Sequence, residues 1–165
     1  FVTGLEFPIG STVGDNLDNE SINAIRIINN TIRIYGARSC SGDLPNFRYI
    51  TAQDVVNKVV VEANNSLEDL IFSVIDGRNT VFASVESKLF SVLEPLRTIG
   101  ALFEAFDTNG KQVDFGYTVK CDSTINPVTQ LADGLIKARV GLRVSSVGDK
   151  IEVDIIKSNL TKSVV

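Results

Sequence analysis

From Ile136 to Val144 the chain alternates strictly: Ile136, Ala138, Val140, Leu142 and Val144 are separated by Lys137, Arg139, Gly141 and Arg143. After Ser145-Ser146-Val147-Gly148-Asp149 the alternation resumes, with Ile151, Val153 and Ile155 flanking Glu152 and Asp154. A period of two is incompatible with a helix face and predicts two strands, each with one apolar side. The polar side is basic on the first strand and acidic on the second, so pairing them would set opposite charges across from each other. A strand near the end of a sequence tends to lie at a sheet edge, where unpaired backbone groups recruit another chain. Lys150, Ile151, Glu152, Val153, Asp154, Ile155, Ile156 and Lys157 are therefore the candidate assembly residues.

Two further segments follow the helical period. Val55, Val56, Val59, Val60 and Ala63 fall on one face of a helix that Thr51 is placed to cap, with Asp54 as capping-box partner and an end expected near Asn64-Asn65. Phe82, Val85, Leu89, Val92 and Leu96 mark a second helix starting at Asn79 or Thr80, with Pro95 near its end. Between them Leu70 to Ile75 reads as a short buried strand. Ile25 and Ile27, then Asn29-Asn30, then Ile32 and Ile34 predict a hairpin whose two-residue turn tolerates positive φ. Phe47 and Tyr49 suggest another short strand, Asp107 to Lys111 a turn around Asn109-Gly110, and Phe115 to Cys121 a strand. Strands mixed with two long helices predict an α/β or α+β domain, helices packed on a mixed β-sheet. Residues 1–16 read as a linker or N-terminal arm, 17–149 as the domain core and 150–165 as a C-terminal strand and arm, with Phe1 to Asn19 lacking any sustained period.

Composition excludes much chemistry. The 165 residues with 44% hydrophobic content suit one core. There is no His, which removes the commonest general base and metal ligand and the nucleophile mechanisms that depend on it. A net charge of −4 gives no general attraction to nucleic acid or anionic membrane. No apolar run approaches the ~20 residues that span a bilayer. The sequence contains no Met and opens at Phe1, so it is expected to be a fragment or processed product. Cys40 and Cys121 make no metal-spaced cluster, and buried free thiols are expected rather than a disulfide.

The remaining motifs carry little. Asp107, Asn109 and Asp114 around Gly110 lack the spacing and closing Glu of a calcium loop and are expected to be a hairpin turn. Gly10 and Gly14 lack the Gly-Lys-Ser/Thr ending of a phosphate loop. Glu86, Glu94 and Glu104 read as a solvated helix face. No catalytic, cofactor-binding or metal-ligating residue is assigned.

The order of small elements carries more. Ile22-Asn23-Ala24-Ile25-Arg26, Ile34-Tyr35-Gly36-Ala37-Arg38-Ser39 and Phe47-Arg48-Tyr49-Ile50 before a helix are followed by Gly100-Ala101-Leu102, Val119-Lys120-Cys121-Asp122, Asn126, Gly134-Leu135 and the terminal strand pair. In that order they resemble the C-terminal domain of contractile phage tail sheath proteins, over roughly Leu17 to Lys157. Tyr35 stands where the family usually has Trp and Ser39 where it has Thr.

The resemblance implies a structural subunit that polymerises in a helical sheath around an inner tube and contracts to drive it through a cell envelope. Partners would be other copies of itself, the inner tail tube protein, and baseplate and tail terminator proteins, with no direct nucleic acid contact and no membrane insertion. It implies assembly in the host cytoplasm and residence in the virion, with Lys150 to Lys157 joining a neighbour's sheet. Arg38 would bridge to a carboxylate in its own domain or a neighbour's. A contractile bacteriocin or type VI-like secretion sheath is a close variant. From other classes, a small-molecule-binding α/β domain and an enzyme using carboxylates or Lys are the alternatives.

Overall fold

The structure, a computed structural model, describes residues 3–148 together with Ile151 and Val153. Its centre is a pair of helices, α3 (Ile50–Leu67) and α4 (Thr80–Thr98), packed on each other. Every apolar residue assigned to the second helix is buried on α4, joined by Val81 and Leu93, because the 3.6-residue period stacks them on one face. Below them lies the antiparallel pair of β5 (Tyr117–Lys120) and β6 (Arg139–Leu142), in register from Tyr117 opposite Leu142 to Lys120 opposite Arg139. Leu93, Leu96, Val59 and Leu102 form one core cluster against Val140 and Leu142, and Phe82, Leu89 and Cys121 a second beside Val119 and Ile136.

Two smaller antiparallel pairs complete the α+β architecture: the hairpin of β1 (Ala24–Ile28) and β2 (Thr31–Tyr35), and β3 (Ala105–Phe106) with β4 (Gln112–Asp114). Where one mixed sheet is expected, the described residues form three separate pairs, all antiparallel. Asn29 and Asn30 adopt φ of 48° and 59°, closing the expected two-residue turn. The 107–111 turn is also as read, with the Asp107 carboxylate accepting from the backbone N–H groups of Asn109 and Lys111.

Several local expectations fail, each for a tertiary reason. Residues 11–19, read as part of a linker, form helix α1 (Ser11–Asn19). It carries no apolar stripe and no side-chain cap, and rests on β1 where Gly14 leaves room: a Cβ there would stand 2.7 Å from Arg26 Nη1. Thr51 does not cap α3, which begins one residue earlier, with Tyr49 in the capping position. Its entry is fixed instead by the Arg38–Tyr49 bridge and the Ile50 N–H donating to Ala37. The same helix runs past Asn64-Asn65 and ends in a 3₁₀ turn, Glu68–Leu70. Phe47 ends the short helix α2 (Leu44–Phe47), because Pro45 fits the first turn of a helix. Leu70 to Ile75 is not a strand: it pairs with no strand among the described residues, and only Leu70 packs against the core while Ile71, Phe72 and Val74 are exposed. Cys121 is buried as expected, whereas Cys40 is exposed; both are free thiols.

Candidate assembly surface

The region around β6 is built from one-sided hydrogen bonding. Lys137 N–H donates to Asn126 Oδ1 at 2.7 Å and its carbonyl accepts from Asn126 Nδ2 at 2.9 Å. Arg143 N–H donates to Gly116, its carbonyl accepts from Phe103, and Ser145 N–H donates to Ala101. With β5 in between, residues 137, 139, 141, 143 and 145 all turn their backbone groups to the same side. The backbone groups of Ile136, Ala138, Val140, Leu142 and Val144 therefore point the other way, where no strand pairs with them among the described residues. Among the described residues this leaves an open strand edge.

Grooves flank this strand at both ends, with α3 on the far wall. One, of about 680 Å³, lies between Leu142 to Ser146 and the start of α3 at Thr51, Ala52 and Val56. The other, of about 490 Å³, lies between Gly134 to Ala138 and Leu67, Leu70, Ile71 and Phe72 beyond the helix end. The outward face of the β5–β6 pair is basic, with Lys120 directly opposite Arg139. Lys120 is paired to Asp122 and Arg143 to Asp114.

Among the described residues the strand paired with β6 is β5. Ile151 and Val153 lie outside any strand and are 88% and 74% exposed. Lys150, Glu152, Asp154, Ile155, Ile156 and Lys157 lie outside the described residues. Arg38 is placed plainly: it is buried, donates to the Asp18 carboxylate of its own domain at 2.9 and 2.5 Å, and its backbone is clasped by the Asn23 side chain.

At the end of α4 charge is committed to structure. Glu94 accepts from Arg97 and from the Tyr117 hydroxyl, Arg97 also reaches Glu104 at 2.6 Å, and its guanidinium lies over Phe115. Arg97, then Tyr117, hold the Glu94 carboxyl below the usual range, while burial and then Glu94 raise the Tyr117 phenol. This node ties the end of α4 to β5. Burial, with Glu86 and Asp122 adding, pushes the Cys121 thiol up to about 11, so it stays protonated and unreactive at neutral pH. No group of three or more metal-ligating side chains occurs among the described residues, and no helix is long and apolar enough to cross a membrane.

Sequence reasoning missed two exposed apolar surfaces. The hairpin buries Ala24 and Arg26 and turns Ile25, Ile27 and Ile34 to solvent. Phe72 projects fully exposed from the 71–75 turn at φ 67°. Alternation in the hairpin was visible in the sequence, but not which side faces in.

No known family model and no curated protein sequence matches the chain. Solved structures do. A chain in the cryo-EM structure of the anti-feeding prophage (AFP) baseplate matches with a TM-score of 0.77 at 17% identity, over 93% of this chain and 41% of that one. A chain in the PVC sheath complex of an extracellular contractile injection system, in its contracted state, matches with a TM-score of 0.77 at 19% identity, over 94% of this chain and 42% of that one. The chain thus spans about two fifths of the length of the chains it matches. It shares the fold of components of contractile injection systems, the fold that the sheath resemblance implies.

Proposed function

We propose that this chain is a domain of a structural sheath subunit that polymerises in a helical array around an inner tube and contracts to drive the tube through a cell envelope. The observation that carries the reading is the shared fold over 93% of the chain with a component of an assembled contractile system. The open edge of β6 supports it, because a subunit held by β-augmentation needs an unpaired strand to receive a neighbour's arm. Residues 150–157 are the arm in this reading, 17–149 the rigid core and 1–16 the second connection. Contraction then proceeds by rigid-body rotation of domains joined through main-chain hydrogen bonds, with no catalytic step. Partners are other copies, the inner tube protein, and baseplate and terminator proteins, the array forming in the host cytoplasm.

Two versions of the role differ in what the tube delivers: a phage tail resident in the virion, or a sheath of an extracellular, bacteriocin or secretion-type system. The likenesses to the AFP baseplate and PVC sheath complex favour the second. Electron microscopy of the full-length protein tests the proposal. Striated tubes are expected, and deletion of the residues after Asp149 is expected to abolish them while leaving the circular dichroism spectrum unchanged. A protein that stays monomeric at high concentration, or one whose melting point rises saturably with a small metabolite, supports the binding-domain alternative instead.

A further inference from the structure

The two long helices treat their apolar stripes differently. On α4 the whole stripe is buried, whereas on α3 only Val59 is. Val55 and Val56 are half-buried and Val60 is 52% exposed, although they share its face. Two grooves connect α3 with the open edge at β6, through Ala52 and Val56 at one end and Leu67 at the other. Along that edge Ile136 and Val140 are half-buried and Ala138 is exposed. The site is a slot with backbone hydrogen-bonding groups on one wall and apolar side chains on the other, a combination that suits a β-strand with one apolar face.

Charge along the edge selects the strand. On its outward face Lys137 and Arg139 are exposed and have no ion pair among the described residues, unlike Lys120 and Arg143. The sequence holds a matching set: Glu152 and Asp154 stand at the same two-residue spacing, between Ile151, Val153 and Ile155. Within one copy Ile151 and Val153 lie outside any strand and are largely exposed. The chain also leaves this edge after Ser146, because Val147 and Gly148 line a cavity with Gly14 of α1 and Tyr35 of the hairpin. That path leads away from its own slot.

Building on the reading of residues 150–157 as the assembly arm, we infer that the arm of a second copy enters this slot as an antiparallel strand in one register. Ile155 lies opposite Ile136, Val153 opposite Ala138 and Ile151 opposite Val140, with their side chains toward α3. Asp154 then faces Lys137, and Glu152 faces Arg139. All three strand pairs of the domain are antiparallel, the geometry with slightly stronger pairing per residue. Ile136, Ala138 and Val140 carry the outward backbone groups, so they form the hydrogen-bonded pairs. The charged pairs fall between them, at positions where opposing side chains approach most closely. A slip of one residue would turn both carboxylates onto the α3 valines and the isoleucines onto the basic face. Lys137 and Arg139 are thus the residues that select the arm and set its register.

Sedimentation of the full-length protein tests the register. Lys137→Glu with Arg139→Glu is expected to weaken association about tenfold and leave the melting temperature unchanged, because both side chains are exposed. Adding Glu152→Lys and Asp154→Lys to the same chain is expected to restore association to within about twofold, since every copy carries both a slot and an arm. Unchanged association, or a loss that the reciprocal swap does not restore, overturns the inference. Cross-linking tests the direction and that two copies are involved. In a Cys40→Ser background, a preparation carrying Ile136→Cys is oxidised together with a second carrying either Ile155→Cys or Ile151→Cys. Mixed disulfide dimers with Ile155→Cys are expected to exceed those with Ile151→Cys about tenfold, because only the first pair stands within bonding distance. The reverse preference, equal yields or no mixed dimer overturns it. Failure of the sheath reading has a different signature: the cross-link and the charge rescue persist when no tubes form. Tubes that form regardless of the charge reversal overturn this contact and leave that reading standing.

Discussion

The β5–β6 pair and the β1–β2 hairpin use the same pattern, apolar and basic residues alternating along antiparallel strands, and turn it in opposite directions. In β6, Val140 and Leu142 pack on the α3–α4 core and Arg139 faces out. In β1, Arg26 is only 8% exposed, packed over the Tyr35 ring and against Gly14 of α1, while Ile25 and Ile27 are about half exposed. Only the neighbour differs. Beside β5 and β6 stands the apolar face of α4, whose Leu and Val side chains take up the matching sheet face. Beside β1 stands α1, short, polar and open at Gly14, which accepts an arginine stem and offers isoleucine nothing. Alternation guarantees two unlike faces, and the packing partner chooses which is inside.

Substitutions at the two pairs should separate these environments. The largest effect belongs under β6: Leu93 is fully buried against Val140 and Leu142, so Leu93→Ala should cost about 3–5 kcal/mol in urea unfolding by leaving a cavity. A loss under 1 kcal/mol would mean that the α4–β6 core is not the stabilising centre. Next comes Asn126, buried, whose side chain holds the backbone of Asp122 and Lys137 and so aims the lead-in to β6. Asn126→Ala should cost about 2 kcal/mol, because it leaves buried backbone groups unpaired.

A smaller, pH-dependent effect should appear at Cys121, just past the end of β5. Its folded-state thiol titrates higher than an unfolded thiol, so the folded state holds the proton more tightly. That stabilisation is complete below about pH 9 and is lost as pH rises toward about 11, so melting temperature should fall across this window. The fall should be shallower in Cys121→Val. In a thiol-labelling experiment at pH 8, exposed Cys40 should react at once and Cys121 only on unfolding. The smallest effect belongs to the hairpin: Ile34→Ser should change monomer stability by no more than about 0.5 kcal/mol, since that side chain is already largely in solvent. A loss as large as that at Leu93 would show that the hairpin face is packed in the isolated domain and remove the contrast.

Much of the fold was legible because local physics dictated it. The α4 face, the Asn29-Asn30 turn, the Asn109-Gly110 turn and the strands around Val119 and Val140 each carry their own period or their own permissive residues. The sheath resemblance was legible through the order of short elements such as Gly36-Ala37-Arg38, whose arginine the structure pairs with Asp18. The candidate surfaces were not. Leu70 to Ile75 looks buried by composition, yet only Leu70 packs against the core, and Ile71, Phe72 and Val74 are left exposed beyond the end of α3.

By itself, then, the sequence determined where the chain alternates, where it coils and where it turns, because those preferences reside in a residue and its near neighbours. Tertiary structure alone decided three things: that β5 is the strand beside β6, that the far edge of β6 has no partner among the described residues, and that the hairpin shows its isoleucines. The physical reason is that pairing and burial are properties of two surfaces in contact. A strand carries its alternation along the chain, but its partner and its inward face are set by whichever helix or edge the rest of the fold brings beside it.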